Sequence, residues 1–88
     1  MITITLKVID SSDIGWVRER ISMLVAGTSA VIRLKPKHWS LGTSGEWTLT
    51  QSRKHPKLLV LRCKHGLKDD ATALRRSIGF LVGVDVVG

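Results

Sequence analysis

The sequence predicts an α+β domain, a two-layer sandwich in which a mainly antiparallel sheet of four to five strands carries two helices on one face, in the order β-α-β-β-β-α. Three observations carry this reading. Residues 2–8 alternate strictly between apolar and polar. Two later segments carry apolar stripes at the same helical spacing, and several short runs between them alternate as half-buried strands do. Eighty-eight residues suit one domain, 1–88, with one modest core.

In the first strand Ile2, Ile4, Leu6 and Val8 form one side and Thr3, Thr5 and Lys7 the other. Asp10-Ser11-Ser12 offers N-cap chemistry for the helix that follows. Ile14, Val17, Ile21, Leu24 and Val25 make its stripe, with Arg18, Glu19 and Ser22 away from it, and Gly27 is its natural stop. A second strand is expected at about 30–35, with Ile32 and Leu34 facing the core and Val31, Arg33 and Lys35 facing out. Pro36 ends it, and the Ser- and Gly-rich stretch 37–45 reads as a loop. A third strand covers about 46–51, burying Trp47 and Leu49. A fourth covers 58–64, burying Leu59, Leu61 and Cys63. Gly66 breaks it, and Asp69-Asp70 open a last helix whose stripe is Ala71, Leu74, Ile78, Leu81 and Val82. Residues 84–87 are a short fifth strand or a tail. This order admits strands one and two as parallel neighbours joined by a right-handed crossover.

The charge is uneven. The chain has 14 Lys and Arg against 7 Asp and Glu, a net +7. Residues 1–32 are neutral, whereas residues 33–68 carry nine basic groups against one acid, Glu46, and so more than the whole net charge. A regional excess of this kind is the pattern of a face that meets a polyanion. Arg33, Lys35, Lys37, Arg53, Lys54, His55, Lys57, Arg62, Lys64 and Lys68 are therefore the expected contacts to nucleic acid, RNA ahead of DNA. Trp39, placed in a loop beside Lys37 and His38, is the expected stacking residue. Leu58, Val60 and Val31 on the same open face would also serve a homodimer or a partner interface with basic edges.

Other chemistries have little in the sequence to carry them. The lone Cys63 reads as a core thiol, and no pair of ligands has zinc-site spacing, so no metal or cofactor is expected. Neither phosphate-loop signature occurs. No catalytic signature is present. A small metal-independent ribonuclease would have to use His55 or His65 as general acid or base. A protein of another class, a small adaptor or inhibitor of the kind phages and mobile elements encode, would use the same charge to bind an acidic protein surface. No apolar run approaches the roughly 18 residues of a membrane-spanning helix, and the first ten residues lack the basic head of a signal peptide. The expected compartment is cytoplasmic, which a single cysteine suits.

In its helix, three strands, helix order and its basic character, the segment 13–82 resembles double-stranded RNA-binding domains. Val60-Leu61-Arg62-Cys63-Lys64-His65-Gly66, with the later Leu74-Arg75-Arg76-Ser77-Ile78, is similar to the HicA-type mRNA interferase toxins, which share that topology. The resemblance implies RNA as partner. The toxins' histidine after Gly-Ser has no counterpart in Gly42-Thr43-Ser44-Gly45, and the RNA-binding domains' lysine cluster is here Lys68 followed by two acids. The leading strand at 2–8 belongs to neither pattern. The similarity is one of topology, and no membership follows from it.

Overall fold

A run of strands joined by short turns, β2 (Val31–Lys35), β3 (His38–Leu41), β4 (Trp47–Gln51) and β5 (Leu58–Cys63), makes up most of a six-stranded sheet. The computed structural model describes residues 1–65 and 68–88. The first strand, β1 (Ile2–Val8), lies on the far side of β5, and β6 (Val84–Val86) lies beyond β1. The order is β2-β3-β4-β5-β1-β6, with every neighbouring pair antiparallel. Helices α1 (Ile14–Ala26) and α2 (Lys68–Gly79) connect β1 to β2 and β5 to β6.

The α+β class and the two helices on one face follow the sequence pattern. Val17 and Ile21 of α1 share one core with Ala71 and Ile78 of α2 and with Ile4, Leu6, Leu49, Leu59 and Leu61 of the sheet. Alternation explains this face directly, because the register sets Ile4 opposite Leu61 and Leu6 opposite Leu59. Asp10 caps a 3-10 turn at Ser11–Asp13 through Ser12 N–H, at 3.0 Å, ahead of α1. Gly27 ends α1 with φ 69°, its N–H bonded to Met23 O at 3.1 Å.

Several expectations are corrected. Strands one and two are not parallel neighbours: β1 and β2 are separated by three strands. Residues 38–41, expected as loop, form β3, because a tight turn at Pro36-Lys37, with φ 65° at Lys37, folds the chain straight back along β2. Four strands therefore separate the helices, which departs from the helix, three strands, helix order of the RNA-binding domains. Residues 84–86 are a true strand, and Val87 and Gly88 continue its bonding to Thr5.

The faces of β2 are inverted. Val31 and Arg33 stand opposite Leu41 and Trp39 on the helix side, while Ile32 and Leu34 are 50% and 59% exposed. On α1, Ser22 is fully buried and Leu24 is exposed, the reverse of the expected stripe. Ser22 Oγ lies 2.7 Å from Thr28 O and 3.0 Å from Ala30 O, tying the helix to the start of β2. At the C-terminal end of α2, Val82 lies beyond the helix and is 83% exposed. Gly66, the expected breaker of β5, lies outside the described residues.

Candidate nucleic-acid interface

Hairpin geometry divides the basic residues between the two ends of the sheet. The β2–β3 and β4–β5 turns lie at the same end, because two intervening strand reversals return the chain to it. Gln51 N–H donates to Lys37 O at 2.9 Å and joins the two turns directly. Lys35, Lys37, Arg53, Lys54, His55 and Lys57 are thus brought to one end. Lys7 joins them, since β1 pairs Lys7 with Leu58 at the exit of the basic turn. The same end carries acids on its β1 and β6 side, namely Asp10, Asp13 and Asp85.

The basic turn is held rather than loose. Leu58 N–H donates to His55 O at 2.8 Å, His55 N–H to Ser52 Oγ at 3.1 Å, and Ser52 N–H to Leu58 O at 3.0 Å. The Gln51 side-chain amide adds a bond to Pro56 O at 2.8 Å. Val8 N–H reaches Lys57 O at 2.8 Å, fixing the turn to the end of β1. These bonds use the turn's backbone and leave the side chains of Arg53, Lys54, His55 and Lys57 exposed. A charged loop fixed in advance loses less conformational freedom on meeting a ligand.

A cavity of about 510 Å³ opens where this turn meets the chain after β1. Lys7, Ser11, Lys54, His55 and Lys57 line it together with Pro56 and Leu58. The Asp10 carboxyl nearby is held below the usual carboxylate range, first by the Ser12 N–H and hydroxyl that it accepts, and also by the positive charge of Lys57. Ser11 is not legible in the sequence as part of this site, and Lys7 is legible as a cation of the open sheet face but not as a neighbour of the basic turn. What brings them there is the pairing of β1 with β5, for which the sequence carries no local signal.

The remaining expected contacts lie elsewhere. Arg62 pairs with Thr3 and Thr48 on the open face toward the opposite end of the sheet, where Lys64 N–H meets Glu46 O at 3.4 Å. Lys68 begins α2, and its side chain lies outside the described residues. Arg33 lies on the helix side of the edge strand. The expected placement of Trp39 is corrected: it belongs to β3, is only 7% exposed, and lies beneath Arg18 with 4.3 Å between guanidinium carbon and ring centroid. A ring so covered offers no platform for a base.

The open face itself is less basic than expected. With β2 inverted, it presents Ile32 beside Ser40, Thr48, Thr50 and the half-buried Leu58 and Val60, with Lys7 and Arg62 toward its two ends. Val31 is not part of it. His38 is on this face with its Nδ1 3.3 Å from Thr50 Oγ1. Cys63 is buried, and among the described residues no three His, Cys, Asp or Glu side chains gather as a metal site would require. Among the same residues no helix is long and apolar enough to cross a membrane. No family model matches the chain, and no curated protein or solved structure does so either.

Proposed function

We propose that this domain binds the phosphate backbone of nucleic acid through the basic end of its sheet. One observation carries the reading: Lys7, Lys35, Lys37, Arg53, Lys54 and Lys57, from three separate parts of the chain, converge around a turn fixed by its own hydrogen bonds. Cations on a preformed turn neutralise phosphates and release counterions, which favours binding without reading sequence. Arg62 and Lys64, at the other end, are outside the contact. Trp39 takes no part, so backbone charge rather than base stacking supplies the affinity.

The test is a fluorescence-anisotropy titration with labelled single- and double-stranded RNA and DNA at two salt concentrations. Six phosphate contacts correspond to a slope of log affinity against log salt of about −5 on duplex DNA. The triple variant Arg53→Glu/Lys54→Glu/Lys57→Glu should abolish binding, while Arg62→Glu/Lys64→Glu should leave it nearly intact. Failure of all four ligands to bind at low salt would end this reading and turn attention to an acidic protein surface.

A further inference from the structure

The cations of the basic end are of two kinds. Lys35 and Arg53 are exposed on the turns, and Lys37 is half-buried between them, where they meet phosphates of a strand passing across the end. Lys7, Lys54 and Lys57 are exposed as well, and they also line one open cavity.

We propose that this cavity holds a nucleotide phosphomonoester, either the phosphorylated end of a strand or a free mononucleotide. The proposal rests on the nucleic-acid reading above and assigns a ligand to one part of that surface. Its volume of about 510 Å³ is of the size that small-molecule sites have. A phosphomonoester carries about −1.5 to −2 charges at neutral pH and three acceptor oxygens. An internal phosphodiester carries a single charge, so three ammonium groups at one cavity favour the monoester. The Ser11 hydroxyl and the His55 ring add hydrogen-bonding groups to the lining, and Pro56 and Leu58 add apolar surface for the sugar or base.

Two acids lie beside these lysines: Asp10, whose Oδ1 accepts Ser12 N–H at 3.0 Å and the Ser12 hydroxyl at 2.9 Å and whose charge faces Lys57, and Asp85, paired with Lys7 across β1 and β6. The three lysines outnumber them. The cavity's walls come from β1, the 3-10 turn and the β4–β5 turn, and the bond from Val8 N–H to Lys57 O fixes two of them relative to each other. The lysines therefore approach a bound phosphate from more than one side.

The experiment compares three forms of one internally labelled oligonucleotide by anisotropy: 5′-phosphorylated, 3′-phosphorylated, and hydroxyl at both ends. One phosphorylated form should bind about tenfold more tightly than the hydroxyl form, equivalent to about 1.4 kcal/mol. Lys7→Gln and Lys54→Gln, both at exposed positions, should each weaken the phosphorylated form by a larger factor than the hydroxyl form and so reduce that preference. Competition separates the two sources. Displacement by adenosine or uridine monophosphate shows that a free nucleotide suffices, whereas displacement only by phosphorylated oligomers shows that a strand end is needed. Equal affinity for all three forms overturns the proposal and leaves backbone binding standing. A preference that survives both lysine variants also overturns it, and absence of binding by every form removes both readings together.

Discussion

The guanidinium carbon of Arg18 lies 4.3 Å from the centroid of the Trp39 ring, so a cation on α1 covers an aromatic side chain of β3. The pair joins α1 to β3, next to the edge strand β2. It also covers the Trp39 ring, whereas Arg18 stays partly exposed. Arg18 Nε is buried and has no hydrogen-bond partner, so the contact depends on ring and stem packing rather than on directed polar bonds.

Trp39→Ala should therefore act on stability. Truncating a buried tryptophan costs about 3–5 kcal/mol, which urea denaturation would read as a lower midpoint. Oligonucleotide affinity, measured where the variant remains folded, should be unchanged. Arg18→Met keeps the apolar stem and removes the unpartnered nitrogen, so its cost should stay within about 1 kcal/mol. A Trp39 variant that stays fully stable yet loses affinity would contradict this account.

Gly42 is required by two independent constraints. Its φ is 76°, and a Cβ built there would lie 2.6 Å from the Cβ of Ala26 at the end of α1. Gly42→Ala should cost about 1–2 kcal/mol for the left-handed backbone alone, with the collision adding to it. Ala26→Gly in the same chain relieves the collision and leaves the backbone cost. Thermal melts of the two single variants and the double variant should thus show partial rescue. Full rescue would mean that the backbone angle contributes nothing.

Ser22 is buried on a helix face that its neighbours make apolar, and its hydroxyl serves two carbonyls, Thr28 O and Ala30 O. Ser22→Ala removes that donor from carbonyls it partly shields, at a cost of about 1–3 kcal/mol. Amide hydrogen exchange should rise in the segment 28–31 more than in β1 or β5. A uniform rise across the sheet would show that the hydroxyl has no local role.

The central layer of the fold was legible in the sequence because β1, β4 and β5 are covered on one side by helices, and their alternation reports that cover. β2 was misread for the converse reason. At the edge of the sheet helix cover is slight, so Ile32 and Leu34 face the open side without the burial that makes apolarity a guide. β3 was hidden because His38-Trp39-Ser40-Leu41 lies between a Pro-Lys turn and a Gly-Thr-Ser-Gly turn, and turn chemistry on both sides outweighed four strand residues. In the site, the cations of the basic turn were visible as a run. Their separation from Arg62 and Lys64, and their union with Lys7, depended on strand order, which no local pattern encodes.

The place of β1 between β5 and β6 sets the timing of folding during synthesis. Ile2 pairs with Cys63 and Leu6 with Val86, partners that leave the ribosome about sixty and eighty residues later. Until then ITITLKV, apolar at every second residue, lacks both strand partners, and such a segment is prone to pair with other chains. The meander from β2 to β5 closes through near neighbours and is available to form first, but its helix-facing side stays incomplete without β1. A nascent chain stopped before β5 has made the first strand of the sheet and neither of its partners.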